Sequence, residues 1–575
     1  MTEKKNPSQQ KTQGLGQGLT NYGDAGFALY LRRSFAKSMG YSGEMLARPI
    51  VGIAYTPSGF NNCHRHFPEM LEAVKRGVIA AGGLPLEFPT VSLGEVFLNP
   101  TSLVYRNLMS MDSEEMIRAQ PLDSVVLMGG CDKTVPAQLM GAASAGKPAI
   151  QLVAGPMMTS RYGEERLGAC TDCRRFWGKY RADEVTEEEI QTIEGGLATT
   201  AGTCAVMGTA STMACIAEAL GMMLPGGAAI PAVHADRLRA AEATGARAVE
   251  LIGSELTPDR IITEPAVENA LRVLLAIGGS TNAIVHLAAV VGRLGMRISL
   301  ERMNELSETT PVLVNLKPTG SAYMEDFFAA GGMSAVLSEL EPLLHRDCMT
   351  IAGETLGERI DAGRDAYIDR SVIAALENPV EPVGGLVALF GSLAPRGAIL
   401  KRSAADKNLF EKEGRAIVFS SLDDLAARID DPELEVSADD FLVLQNAGPK
   451  SPSGMPEAGY LPIPAKLARA GVKDMVRISD ARMSGTAFGT IVLHVAPDAA
   501  SRGPLALVKN GDRIRLSVTQ RRIDLLVDEA ELNARRAALP EPDPADRPAR
   551  GYQKLYYDTV LQADEGCDFD FLKGK

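Results

Sequence analysis

The stretch Val125–Gly141, VVLMGGCDKTVPAQLMG, decides how the rest of the chain is read. Val125 to Met128 are apolar and run into Gly129 and Gly130, after which Cys131, Asp132 and Lys133 stand side by side. Pro136 and a small-residue segment follow. A buried strand, a glycine turn and a helix start put three reactive side chains at a strand's C-terminal edge, where open α/β sheets hold their ligands. A thiol, a carboxylate and an amine in succession point to the meeting of a soft and a hard metal site.

Outward from this stretch the same rhythm repeats. RPIVGIAY (48–55), LPLEFPTVS (84–92) and KPAIQLVAG (147–155) read as further strands, and PEMLEAVKRGVIAAGG (68–83) as an amphipathic helix closed by glycine. β-then-α alternation predicts an α/β fold whose mainly parallel sheet carries helices on both faces. Helices are expected over Gly208–Met223 and Asn282–Leu294, the second capped by Ser280 or Thr281. Val273 to Gly292 is nearly uncharged but broken by GGSTN, which fits a strand-turn-helix rather than a membrane span.

At 575 residues the chain exceeds what one core supports, so at least two domains are expected. ENPVEPVGG (377–385) combines prolines and glycines without helical period, and the boundary is placed there, dividing 1–380 from 381–575. Beyond it, GLVALFGS, RAIVFSS, DFLVLQNAG, TIVLHVAP and DRIRLSV are short β-type runs, which predict a mainly β, barrel-like second domain.

A net charge of −13 argues against a nucleic-acid partner, although local cations can still attract a small anion. The N-terminal MTEKKNPSQQKTQGLGQG lacks an apolar core and reads as a flexible arm, neither export signal nor membrane anchor. Eight cysteines in so long a chain point to reduced thiols in the cytoplasm, some of them available to metals.

Cys63 in GFNNCHRHF, Cys131 in GGCDKT and Cys204 in AGTCAVMGTAS share a setting of small and turn-forming residues. Three thiolates suit an iron–sulfur cluster that keeps one iron position open; the alternative is three buried free cysteines. Cys170 and Cys173 form the chain's one close CxxC pair. No second pair completes a zinc site, and the flanking sequence does not suggest a thioredoxin-like strand-to-helix turn, so a structural or incidental role is expected. Near Cys63, His66 is expected to face the site as a substrate contact, with His64 alternating away from it in an extended segment. A hydrogen-bonded packing role is the simpler reading for either ring.

Glu95, closing the strand-like run FPTVSLGE, Asp132, and Glu457 in GPKSPSGMPEAG are carboxylates of the type that binds magnesium, although each taken alone reads more simply as a solvated loop carboxylate or a helix cap. Lys133 has two readings: an ion-pair partner of Asp132, or an amine carbamylated by carbon dioxide and thereby converted to an oxygen donor. In ISDARMSGT (478–486), Asp480 and Arg482 can pair, and small neighbours leave Ser484 open to a substrate. A serine base there would need help from a metal or nearby cations, and on this segment alone a turn serine bonding its own backbone is the simpler reading.

CDKTVPAQLMG and ISDARMSGTA closely resemble the two characteristic segments of the dihydroxy-acid dehydratase and phosphogluconate dehydratase family. MGTASTM, AIGGSTNA, LAPRGAILK and GPKSPSGMPE support the resemblance, which extends from about Arg48 to the C-terminal GYQKLYYDTVLQADEGCDFDFL. It implies an α/β N-terminal domain and a β-barrel C-terminal domain, assembled as homodimers or homotetramers. It also implies a 2Fe–2S cluster on Cys63, Cys131 and Cys204, and magnesium (Mg2+) on Glu95, Asp132, N6-carboxylated Lys133 and Glu457. Ser484 would be the base, as an alkoxide, and Thr486 would lie near the substrate carboxylate.

LEFPTVSLGE and the ending DFDFL are similar to the sugar-acid branch, such as L-arabinonate dehydratase. CHRHF departs from the family's CNxHL and leaves the substrate open. The expectation is a hydro-lyase that turns an aldonate into a 2-keto-3-deoxy acid. The alternative within the family is the dihydroxy-acid dehydratase of branched-chain amino-acid synthesis. Outside it, GGCDKT and GGSTNA could cradle phosphate in a nucleotide-binding protein, but no GxGxxG or GxxxxGK[ST] pattern is present.

Overall fold

Runs of β-branched and aliphatic residues build a four-stranded parallel sheet in the order β2-β1-β3-β4. Its strands are β1 (Ile50–Tyr55), β2 (Leu84–Pro89), β3 (Ser124–Gly129) and β4 (Ala149–Val153). The structure is a computed structural model that describes residues 13–541 and 547–574.

Successive side chains of a strand face opposite sides, and β1 shows it. Val51 and Ile53 join a large core with Met70, Val74 and Val78 of the helix Phe67–Ala80. Ile50 and Ala54 join a second core with Ile117 and Ala142, from the helices Ser102–Ala119 and Thr134–Ala145. Helices therefore cover both faces, and the strands are apolar throughout, as a doubly covered sheet requires.

The strand order reverses direction between β1 and β3. That is the topological switch point, where the connections leave on opposite sides and open a crevice beyond the strand ends. The loops holding Cys63 and Cys131 follow β1 and β3 respectively.

A short hairpin, β5 (Ser160–Tyr162) with β6 (Glu165–Leu167), precedes a largely helical region. There the expected strand-turn-helix over Val273–Gly292 proves to be helix-turn-helix. Glu264–Ala276 is a helix started by the Thr263 cap and a proline at its first turn, and Asn282–Gly292 is the next. The apolar run was long enough to hide the 3.6-residue period beneath uniform burial. Among the described residues no helix is long and apolar enough to cross a membrane.

The remaining strands form an eight-stranded mixed sheet in the order β14-β13-β9-β10-β11-β12-β8-β7. They are β7 (Val387–Leu389), β8 (Gly397–Leu400), β9 (Glu411–Phe419), β10 (Phe441–Leu444), β11 (Arg477–Ser479), β12 (Ile491–Ala496), β13 (Arg513–Ser517) and β14 (Arg522–Leu525). A bridge between Phe390, just past β7, and Arg522 of β14 joins the two ends, so the sheet curls into a nearly closed barrel. β9 to β12 run parallel in sequence order, which sets the loops after β10 and β11 beside each other.

Most of the expected N-terminal arm lies outside the described residues. Its end is pinned by Asp123, which accepts from Gly14 N at 2.9 Å and Gln17 Nε2 at 2.7 Å. The C-terminal segment returns to the N-terminal helices, where Arg106 Nη2 donates to Gly566 O at 2.7 Å and Arg293 pairs with Asp568 at 2.5 Å.

Candidate active site

The loop after β3 is shaped by a histidine. His64 is buried; its Nδ1–H donates to Thr56 O at 2.7 Å, and its Nε2 accepts from Gly130 N at 3.1 Å and Cys131 N at 3.2 Å. Burial pushes its pKa down to about 4, so the ring stays neutral and can accept. A side chain on Gly130 would collide with this ring and with Ala154 Cβ at 2.5 Å, which explains the second glycine before Cys131.

His66 takes the simpler of its two readings, a hydrogen-bonded packing role. Residues 62–64 form a 3-10 turn, not an extended segment, so alternation does not govern which ring faces the site. The His66 Nε2–H donates to Ala154 O at 2.9 Å, and His66 is not among the residues lining the cavity described below.

Three carboxylates from three parts of the chain converge. One oxygen each of Glu95, Asp132 and Glu457 lies within 4.8 Å of the others. Asp132 comes from the loop after β3 and Glu457 from the loop after β10. Glu95 comes from an irregular segment, because β2 stops at Pro89 rather than running on to Glu95.

Two buried cations face these oxygens. Lys133, wholly buried, pairs with Asp132 and reaches Glu95 Oε2 at 3.0 Å. Arg482 donates to Glu457 Oε1 at 2.6 Å and to Glu95 Oε1 at 2.9 Å. The pairing of Arg482 with Asp480 that their spacing allows is not formed. Asp480 accepts the Ala447 and Ala499 amides at 3.0 and 2.8 Å, and burial together with Asp498 raises its pKa to about 7.

Burial raises the Glu95 carboxyl, but the Arg482 and Lys133 charges outweigh it and hold the group low. Glu457 moves the other way, raised by burial and by the Glu95 charge. Three carboxylates against two cations leave an excess of negative oxygen. Beside them Asn282 Oδ1 is buried and accepts no hydrogen bond. Such a donor set fits a hard divalent cation.

The thiols lie on the same cavity, of about 1550 Å³, lined among others by Cys63, Cys131, Cys204, Glu95, Asp132, Glu457, Ser484 and Thr486. Cys63 and Cys131 are neighbours on it, from the loops after β1 and β3. Cys204 belongs to the loop before the helix Thr209–Ala219 and contacts Cys170 instead, Sγ to Sγ 2.8 Å. All eight cysteines are free. Two close thiols with a third across a shared cavity fit a two-iron cluster bound by three cysteines.

Cys170 and Cys173 also line the cavity. They stand at the start of the helix Thr171–Arg181, directly after β6, so a strand-to-helix turn does carry the CxxC pair.

Ser484 and Thr486 follow β11, with their hydroxyl oxygens 2.8 Å apart. Beneath this turn Lys401, wholly buried, donates to Gly485 O at 3.3 Å. Burial alone lowers its pKa to about 7, and no carboxylate among the described residues pairs with it. Lys401 lies in LAPRGAILK, and only the resemblance of that run could have singled it out. Arg65, Arg174 and Lys473 line the cavity as well, giving an acidic protein a locally cationic approach.

The chain matches known proteins along nearly its full length. Residues 48–359 match the profile of the dihydroxy-acid/6-phosphogluconate dehydratase N-terminal region, and residues 371–567 that of the C-terminal region. L-arabinonate dehydratase of Rhizobium leguminosarum bv. trifolii is 45% identical, over 96% of this chain and 95% of that one. 6-Deoxy-6-sulfo-D-gluconate dehydratase of Pseudomonas putida is 43% identical, over 92% and 91%. Dihydroxy-acid dehydratase of Desulfosudis oleivorans is 38% identical, over 95% and 98%. The chain thus belongs to the dihydroxy-acid/6-phosphogluconate dehydratase family, and it is a hydro-lyase.

Proposed function

We propose that the protein dehydrates a sugar acid, an aldonate of five or six carbons such as L-arabinonate or D-xylonate, to the 2-keto-3-deoxy acid. The observation that carries this reading is one cavity lined by a three-carboxylate cluster, three cysteines on separate loops and an open serine. The relatives named for sugar acids, at 45% and 43% identity, favour an aldonate over 2,3-dihydroxyisovalerate, whose relative stands at 38%.

Residues 1–380 would supply Cys63, Cys131 and Cys204 for a 2Fe–2S cluster, with Glu95, Asp132 and Lys133 for magnesium. Residues 381–575 would supply Glu457 and Ser484. When bound, the two metal groups supply Lewis acidity toward the substrate's carboxylate and hydroxyl oxygens.

The protein's own groups do the rest. Ser484, as an alkoxide, takes the C2 proton and returns it to the departing C3 hydroxide, which leaves as water, and the Thr486 hydroxyl beside it orients the carboxylate end. Loss of the C3 hydroxyl as water leaves an enol, which tautomerises to the 2-keto acid. Arg482 holds Glu95 and Glu457 in one geometry, so the substrate meets a pre-organised site.

Lys133 is assigned as N6-carboxylated in the active enzyme, since an ammonium paired with Asp132 and Glu95 has no lone pair to offer magnesium, whereas a carbamate supplies oxygen donors. Growth or incubation with ¹³C-bicarbonate should give a carbamate carbon resonance that Lys133→Ala lacks.

Ser484→Ala should leave iron and magnesium content unchanged and lower kcat by about 10⁴-fold, measured as 2-keto acid release across a panel of aldonates. Activity within tenfold of the parent would remove Ser484 from the base role. Turnover of 2,3-dihydroxyisovalerate in preference to every aldonate would overturn the substrate class.

A further inference from the structure

The base assigned above is a serine, and a serine hydroxyl gives up its proton only where the resulting anion is stabilised. The cavity lies on one side of Ser484. Lys401 is not among the residues lining that cavity, and it approaches the serine turn from behind.

One peptide group stands between the two. The Gly485–Thr486 amide presents its N–H to Ser484 Oγ at 3.4 Å and its carbonyl oxygen to Lys401 Nζ at 3.3 Å. In a trans amide these two bonds point in opposite directions, so Lys401, the peptide dipole and Ser484 Oγ are arranged in series. The Thr486 hydroxyl adds a second contact to the same serine oxygen, at 2.8 Å. The turn is held on several sides. Thr171 Oγ1 donates to Thr486 O at 3.1 Å, Ala487 N donates to Ser484 O at 3.0 Å, and a Cβ on Gly485 would fall 2.6 Å from Ser280 Cβ. The peptide therefore has little freedom to turn its dipole away from the lysine.

An ordinary serine turn needs no lysine behind it. Lys401 follows β8, is wholly buried and makes this single hydrogen bond. No charged side chain among the described residues compensates it, and the adjacent Arg402 is directed instead to Gly384 O at 2.6 Å and to Glu308. Burying an unpaired ammonium is costly, and such a departure from the rules of a stable interior is expected where function requires it.

We propose that Lys401 is a positioning residue for the reaction, polarising the Gly485–Thr486 peptide so that the Thr486 N–H stabilises the Ser484 alkoxide. The proposal rests on the reading of Ser484 as the base. A hydrogen bond from a charged donor is about twice as strong as a neutral one, and an amide whose carbonyl accepts it donates more strongly at its N–H. The coupling is reciprocal, so loss of the serine proton raises the proton affinity of Lys401. Glu95, Asp132, Glu457, Arg65, Arg174 and Lys473 line the cavity with Ser484 and are unaltered when Lys401 is replaced.

The test compares the pH dependence of kcat for the parent and Lys401→Met, on iron- and magnesium-loaded full-length protein with an aldonate that the parent turns over. At pH 7 kcat should fall about 10²-fold, with KM and metal content unchanged. The acidic limb should move to higher pH by about two units, so that the deficit narrows about tenfold for each unit of added pH. Lys401→Gln keeps an N–H donor without the charge and should shift the limb in the same direction; if Lys401→Met does not fold, this variant decides. In a Ser484→Ala background Lys401→Met should change residual turnover by less than about threefold. A limb at the parent position in the neutral variants, an equal fall in kcat at every pH, or the full loss repeated without the serine would each overturn the proposal. Activity of Ser484→Ala within tenfold of the parent would refute the base reading instead, a failure separate from that of this proposal.

Discussion

Lys401 shows how a single buried charge registers in stability. It lies wholly inside the protein with one hydrogen bond, to Gly485 O, and its pKa falls to about 7 from an ordinary 10.5. Between those two values the unfolded chain holds a proton that the native state gives up. Native stability therefore rises with pH across that window, and below about 7 the full cost of the buried ammonium is present. Lys401→Met removes this cost, at about 1.4 kcal/mol per pKa unit, against about 1 kcal/mol for the lost hydrogen bond. The variant should melt at least about 2 °C above the parent at pH 6.5, and the gap should close toward pH 10. A parent that melts higher than the variant at pH 6.5 would mean that Lys401 is paired in solution. Arg482 is the opposite case, equally buried but bridged to two carboxylates, which keeps it charged.

At the scale of elements, the site depends on loops that approach one another without side chains between them. A Cβ on Gly485 would lie 2.6 Å from Ser280 Cβ and 3.0 Å from Thr209 N, so the serine turn touches the starts of two other segments. Gly485→Ala should cost about 1–3 kcal/mol through overpacking, and displacing Ser484 should lower kcat by about 10²-fold. Gly195→Ala meets nothing within 4 Å and provides the control, with unchanged kcat. Equal activities for the two variants would show that the turn adjusts freely. The sequence made the scaffold of this site legible where apolar runs end in glycine, as at β3 and β4. β8, β11 and β14 are three or four residues long and too short to show a period. Both histidines take the packing role that is the simpler reading of a loop ring, but a 3-10 turn replaces the extended segment that alternation assumes. Arg482 and Cys170 found partners hundreds or tens of residues away, Glu95 and Cys204, and no local pattern encodes such meetings. The motifs named the carboxylates and the first three thiols; only the fold revealed the shared cation and the thiol beside Cys204.

At the scale of the molecule, the C-terminal segment ties the barrel's far end back to the helices that support the site. Arg293, from the end of the helix Asn282–Gly292, pairs with Asp568 at 2.5 Å and Glu114 at 3.1 Å, and all three groups are buried. Arg106 and Asn107 hold the Cys567 carbonyl at 2.9 and 2.8 Å. The same helices extend toward the chemistry. Asn282 begins the one that Arg293 follows, and Asn282 Nδ2 faces Glu457 Oε1 at 3.4 Å. Asp568→Ala leaves the Arg293 guanidinium with Glu114 as its one acidic partner in a site closed to water. Removing one member of a buried ion pair costs about 3–5 kcal/mol, and the remaining Glu114 contact places this case at the lower end. The variant should show a lowered Tm together with faster proteolysis after the Arg550 region. Because Asn282 stands at the other end of the strapped helix, KM for the aldonate should rise while iron content stays at the parent level. A lowered Tm with unchanged KM would confine the strap to stability and separate it from the geometry of the site.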